Sequence, residues 1–397
     1  MQRIQKKAKA ELAEARKVGL DPDRLSRLRK AVEEDTARGL YDGAVFLVAR
    51  HGKVVMHEAV GHTDLAKKRK ANQEDVFFIM SLTKQMTAVR VLMDIERGKF
   101  GLTTPVKDFI PEFGIKGKQN ITVWHLLTHT SGLTTEIPFA MPPEKLQDIE
   151  GVVASLSNER ILFFPGTIVT YNPLMALSIV AAMVQRLDEK KRPFRQILGE
   201  DVFRPLGMKD TALGLPERLR ERLVPVVVRD TTPGLFDPIL IESMNLIIKE
   251  ASELPSGGAV STVCDVFRFA EMLRQGGAYN GVRLLSPETV KLATTNQTGT
   301  LPNHLLDYMR EMYGWPQFPA YLGLTFFLRG VGVFPTPLGI NTSPGTFAAI
   351  GAGSNLFWVD PVRDLTWVFL SAGLLEEGKS WIRHQRLSDM VVASVVD

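Results

Sequence analysis

The sequence holds a single cysteine, Cys264, in 397 residues, so neither a disulfide framework nor a cysteine-rich zinc or iron–sulfur centre can form. Long hydrophobic runs are missing as well. The longest, residues 174–184, is interrupted by Ser178 and falls well short of the roughly 20 residues needed to span a bilayer. The first twenty residues, MQRIQKKAKAELAEARKVGL, have no apolar core of a secretory signal. With Glu11 and Glu14 they are too acidic for a transit peptide. A solvated helix there, and a soluble, cytoplasmic protein without membrane contact, are the expectations. No charge of one sign dominates: 48 Lys and Arg stand against 44 Asp and Glu, a net charge of +4. That is too weak to argue for a nucleic-acid partner. No Gly-x-Ser-x-Gly elbow occurs, which speaks against an α/β-hydrolase, and no phosphate-binding glycine loop gives nucleotide chemistry an anchor. His57 and His62 are spaced five apart on a segment that reads as strand, so they do not share a helix face for a metal. No metal or organic cofactor is expected.

At about 150 residues per unit, the length allows two to three structural units. A composition of 45% hydrophobic and 23% charged residues is that of an ordinary folded chain. Apolar residues at helical spacing (Leu25, Leu28, Val32) predict a helix over residues 23–38, and others predict helices over 81–97, 174–186 and 262–275. Two β-rich runs flanking His51-Gly52-Lys53 predict a hairpin over 43–61. Short apolar runs at 322–328, 354–359 and 365–370, bounded by Gly, Pro or Asp, predict strands. Strands at both ends with helices between them predict an α+β fold, an antiparallel sheet flanked by helices and built from N- and C-terminal segments. A mainly helical lobe is inserted in the middle. The expected layout is one catalytic unit over 1–397. Its α/β lobe covers about 1–80 and 255–397, and its helical lobe about 81–254.

The segment with chemical content is Ser81-Leu82-Thr83-Lys84, which follows an apolar run and opens a predicted helix. Residues three apart on a helix lie on one face, so these two side chains can meet. A serine hydroxyl becomes a useful nucleophile when an adjacent base takes its proton. A lysine amine is such a base once burial lowers its pKa, and the positive end of the helix acts in the same direction. The alternative reading is an N-capping serine beside a solvated lysine. Tyr171, at the end of an extended run begun by Pro165-Gly166, is read either as a phenol presented to a cleft, able to exchange a proton with an amine, or as a ring packed at a helix start.

These segments together resemble the class C β-lactamase-like serine hydrolases and the family VIII carboxylesterases, within the larger group of penicillin-binding-protein-like acyl-enzyme folds. The resemblance runs from about Gly43 to Gly373. It is carried by Phe78-Ile79-Met80-Ser81-Leu82-Thr83-Lys84, by ITVWHLLTHTSGL at 121–133, and by Pro165-Gly166 leading to Tyr171. PLGMKDT at 205–211, SGGAVST at 256–262 and Trp358-Val359-Asp360-Pro361 complete it. It implies Ser81 as the nucleophile of an acyl-enzyme and Lys84 as its general base or proton relay. Tyr171 would pass a proton to the leaving group and later activate water. His125 and His129 are read as structural.

The chain departs from the pattern twice. The tyrosine motif, usually Tyr-x-Asn, reads Tyr171-Asn172-Pro173, so Asn172 is expected to substitute from the neighbouring position, or the contact is missing. The third motif falls on Ala349-Ile350-Gly351, without a cationic side chain to clamp a carboxylate. Gly351 keeps close ligand approach, and Ala352 would supply the second oxyanion N–H beside that of Ser81. Such a pocket favours an uncharged ester or acyl group over a lactam carboxylate. The stretch 308–321, with Tyr313, Trp315 and Phe318, is read as a wall of that pocket or as a loop packed on the sheet, and 233–254 as a lid or an excursion over the core. The expected activity is hydrolysis of a small-molecule carboxylic ester through an acyl-serine. Transfer of the acyl group to an alcohol or amine, β-lactam or amide hydrolysis, and ligand binding without catalysis are the alternatives.

Overall fold

The structure, a computed structural model, describes residues 14–138, 141–232, 234–352 and 354–397. Residues 1–13 of the expected N-terminal helix therefore lie outside the described residues, as does Pro233 of the expected excursion.

Strand β1 (Gly43–Arg50) turns at His51-Gly52 into β2 (Lys53–Asp64), followed by the short β3 (Arg69–Lys70). Three strands near the C-terminus, β10 (Phe347–Gly351), β11 (Asn355–Asp360) and β12 (Leu365–Ala372), join them, with β9 (Phe327–Leu328) at the far edge. The order is β3-β2-β1-β12-β11-β10-β9, antiparallel throughout. The first and last parts of the chain meet at the β1–β12 ladder, in register from Gly43 opposite Ala372 to Arg50 opposite Leu365.

Every residue of β1 is buried, because the sheet is covered on both faces and its strands read as continuous apolar runs. Phe46 and Val48 point one way, onto Trp358, Trp367 and Phe369. There Leu25, Leu28 and Val32 of helix α1 (Pro22–Ala37) and Leu387 and Val391 of a C-terminal helix, Glu377–Val392, complete the layer. Val45 and Leu47 point the other way, into a core shared with Val266, Phe269 and Ala270 of helix Val263–Arg274.

Between the sheet's two halves the chain is mainly helical. In order come α2 (Thr83–Glu96), α3 (Ile149–Asn158), α4 (Ala176–Arg186) and α5 (Pro238–Ile247). The two helices already described are α6 (Val263–Arg274) and α7 (Glu377–Val392). A second, three-stranded sheet, β4 (Phe77–Phe78), β6 (Ala259–Ser261) and β5 (Ala212–Leu213), runs in the order β4-β6-β5. The hairpin Ala278–Tyr279 with Val282–Arg283 supplies β7 and β8. Among the described residues, no helix is long and apolar enough to cross a membrane.

The expected strand over 322–328 shrinks to β9. Tyr321 and Thr325 both take positive φ, +46° and +71°, and a chain turning left-handed at two places cannot stay extended. Within the stretch 233–254, read above as a lid or an excursion over the core, α5 lies against the site described below.

Candidate active site

The site begins with a backbone device. Strand β4 pairs with β6, Phe77 opposite Ser261 and Phe78 opposite Val260, and the N–H of Ile79 extends the pairing to the carbonyl of Ala259 at 3.0 Å. Met80 then adopts φ +51°, a left-handed conformation costly for a bulky residue and tolerated where the surroundings over-determine it. That turn places Ser81 in a single 3-10 turn, Met80–Leu82, running directly into α2.

Ser81 and Lys84 therefore share a helix face, and the Lys84 Nζ lies 3.0 Å from the Ser81 Oγ. The same nitrogen donates to the carbonyl oxygens of Pro173, at 2.6 Å, and Ser256, at 2.8 Å. Lys84 is 1% exposed, and burial holds its amine well below the ordinary value of 10.5. A neutral amine has two N–H groups, and the two carbonyls take both. Its lone pair is left facing the serine hydroxyl, the arrangement a general base needs.

Tyr171 arrives from the run that follows Pro165-Gly166 and lines one cavity together with Ser81. Its ring sits under the Lys84 Nζ, 5.0 Å from the centroid. Burial raises its pKa, partly offset by the neighbouring Ser81 side chain, so it is a phenol here.

Gly351, at the end of β10, packs so closely on the chain before Ser81 that a Cβ would come within 2.7 Å of the Ile79 carbonyl oxygen. The Asn355 amide donates to the Phe78 carbonyl at 2.8 Å, pinning the β10–β11 turn at the same place. Ala352 consequently stands beside Ser81. The two residues line both cavities that open at the nucleophile.

The first cavity lies between α7, helix Asp307–Tyr313 and β10. The second lies under α5. Neither is lined by any lysine or arginine among the described residues. No group of three or more His, Cys, Asp or Glu among the described residues could hold a metal.

The structure brings together Ser81, Lys84, Tyr171, Gly351 and Ala352. Two expected residues go elsewhere. Asn172 does not offer its amide to a ligand: its Oδ1 accepts from the N–H groups of Met175 (3.0 Å) and Ala176 (2.9 Å), and its Nδ2 donates to Thr134 O at 2.6 Å. It fastens the start of α4, where free N–H groups need acceptors. Trp315 stacks on Tyr313, with centroids 5.2 Å apart, in the apolar cluster behind the first cavity, and lines neither cavity. The tryptophan that does is Trp381 on α7, together with Phe236 and Phe327.

His129 is the other residue sequence reasoning passed over as a neighbour of the site. Its ring lies against Tyr171, and its Nδ1 accepts the Asn172 N–H at 3.2 Å. His125 remains away from the chemistry: with Thr122 it caps the short helix Val123–Leu127.

Comparison with known proteins gives a consistent picture. The family model described as Beta-lactamase matches residues 28–388. Protein Rv1367c of Mycobacterium tuberculosis is 26% identical over 375 residues, covering 86% of this chain and 88% of that protein. Esterase EstB of Burkholderia gladioli is 30% identical over 264 residues, covering 58% of this chain and 65% of its own. Among solved structures, a penicillin-binding protein homologue from Caulobacter crescentus superposes with a TM-score of 0.77 at 24% identity, over 95% of this chain and 99% of that one. This last likeness concerns the fold.

Proposed function

Since this chain belongs to the beta-lactamase family, we propose that it is a carboxylesterase working through an acyl-serine. The Ser81 Oγ attacks the ester carbonyl carbon while its proton passes to the Lys84 Nζ. The new Oγ–C bond forms, and the C–O bond to the alcohol breaks. The Tyr171 hydroxyl protonates the departing alkoxide, and the proton taken up by Lys84 restores the phenol. Water then adds to the acyl-enzyme with the same groups exchanging protons, releasing the acid and restoring the serine. The backbone N–H groups of Ser81 and Ala352 are the proposed oxyanion donors, a contribution of a few kcal/mol in comparable sites.

The observation that carries the ester reading is the lining of the two cavities. It is largely apolar and, among the described residues, presents no lysine or arginine for a substrate carboxylate. An uncharged ester needs no such partner, whereas an unpaired buried carboxylate is costly. The test is hydrolysis of p-nitrophenyl acetate, butyrate and octanoate by the wild type and Ser81→Ala. Turnover by the first alone, with an acyl group found on Ser81 by mass spectrometry, supports the proposal. Faster cleavage of nitrocefin than of any ester would overturn it in favour of a lactamase.

A further inference from the structure

The two cavities beside Ser81 differ in chemistry. Phe236, like Ser81 and Ala352, lines both. Around the second cavity, every side chain other than the hydroxyls of Ser81 and Ser256 is hydrocarbon or thioether. Ser256 is the residue whose carbonyl holds Lys84, so its hydroxyl, which has no partner, belongs to the catalytic end. The body of that cavity is made by Leu240, Ile241, Met244 and Ile247 of α5 with Leu146 and Leu254.

Around the first cavity, Tyr171, Glu377, Ser380, Trp381 and His384 add polar groups to an apolar wall. Trp381 is 8% exposed and His384 1%, yet the Trp381 Nε1 and the His384 Nδ1 have no hydrogen-bond partner. Buried donors and acceptors in folded proteins are nearly always paired. Two left unpaired around one cavity mark a place where a ligand atom supplies the missing bond.

The reaction decides which half of a substrate enters which cavity. The group that leaves must receive its proton from Tyr171, which lines the first cavity and not the second. We infer that the ester lies across Ser81 with its acyl chain under α5 and its alcohol against α7, so that the enzyme selects an aliphatic acid joined to an alcohol carrying a hydrogen-bond acceptor. This inference rests on the esterase reading above and adds the sidedness and polarity of the substrate.

Oxygen-for-methylene pairs test it. Hexyl octanoate and 2-propoxyethyl octanoate differ by one CH₂→O exchange in the alcohol. Hexyl octanoate and hexyl 6-oxaoctanoate differ by the same exchange in the acid. The expected result is a kcat/KM higher by roughly three- to tenfold for oxygen in the alcohol, the worth of one hydrogen bond, and lower for oxygen in the acid. Trp381→Phe, which keeps an aromatic ring but removes the N–H, erases the first preference. Leu240→Trp, or Met244→Phe should that variant fold poorly, lowers the octanoate-to-acetate ratio by roughly tenfold or more, because methylenes in a pocket are discriminated at that level. The reverse oxygen preference, or none, overturns the inference while leaving the esterase reading intact. If no ester at all is turned over, p-nitrophenyl acetate included, both fall.

Discussion

His129 and Tyr171 face each other with ring centroids 4.6 Å apart and planes inclined at 47°. The imidazole also accepts the backbone N–H of Asn172, the next residue along, so it holds Tyr171 from both ring and chain. Burial, with the Lys84 amine contributing, pushes its pKa down to about 3, and it stays neutral throughout the working range. His129 is thus a positioning residue, and it has φ +56°, where asparagine is tolerated far better than leucine.

His129→Leu removes the acceptor and strains the backbone, while His129→Asn keeps both an acceptor and a left-handed residue. The expected loss in kcat for the leucine variant is about 10- to 100-fold, the scale of a small misplacement of a catalytic group, with KM little changed. The asparagine variant recovers most of it. Equal losses in the two variants, or a loss confined to KM, would count against the positioning role.

Tyr171→Phe preserves the ring against His129 and deletes only the proton donor. A leaving group that needs protonation suffers more than one that departs as a stable anion. The expected fall in kcat is about 10²- to 10⁴-fold on ethyl esters, in the range of a lost general acid, and much smaller on p-nitrophenyl esters. Equal falls on the two series would show that Tyr171 does not deliver the proton.

The Ser81–Lys84 pair was legible because helical geometry makes three-residue spacing a contact, and the hairpin and the β1–β12 strands were legible because they are continuous apolar runs. Less visible was α7. Its buried face carries Ser380, Arg383, His384 and Ser388 among the apolar residues, which breaks the hydrophobic period on which helix recognition depends. Trp381 was lost with it. Strand β10 hid for a related reason: Ala348, Ala349 and Gly351 have little strand preference, and close packing on Ile79 rather than local propensity places them there. Asn172 misled because a motif position says which residue is near a site and not where its amide points. Trp315 shows that an aromatic stretch can stand one layer behind a cavity.

Burial alone depresses Lys84, and the reaction needs its neutral form. The expected kcat/KM therefore rises with pH through a limb well below 10.5 and then stays level, because the raised pKa of Tyr171 defers any loss to strongly basic pH. The stability sign follows from proton counts. Between the folded pKa of Lys84 and 10.5 the unfolded chain binds a proton the folded one does not, so stability rises with pH across that window and falls toward its lower end. Relative to Lys84→Met, the unfolding free energy of the wild type should climb by up to about 1.36 kcal/mol per pH unit there. Parallel curves for the two proteins would mean the amine is charged in the fold.

Glu377 runs in the opposite direction. Burial raises its carboxyl from 4.5 to about 7, with Glu376 and Asp230 adding repulsion and the N–H groups near it opposing. Its Oε2 accepts the N–H of Leu235 at 3.2 Å, next to Phe236, which lines both cavities. Between pH 4.5 and 7 the folded chain holds a proton that the unfolded one has released. This contribution is complete below 4.5 and lost as pH rises through about 7. Glu377→Gln mimics the protonated carboxyl at every pH and should remove that slope. Urea unfolding of the two proteins at several pH values then shows the wild type losing up to about 3 kcal/mol relative to the variant across the window. A constant difference between them would place an ionised carboxylate against the first cavity at neutral pH. A cationic group on the alcohol would then be the better match for that wall than a neutral acceptor.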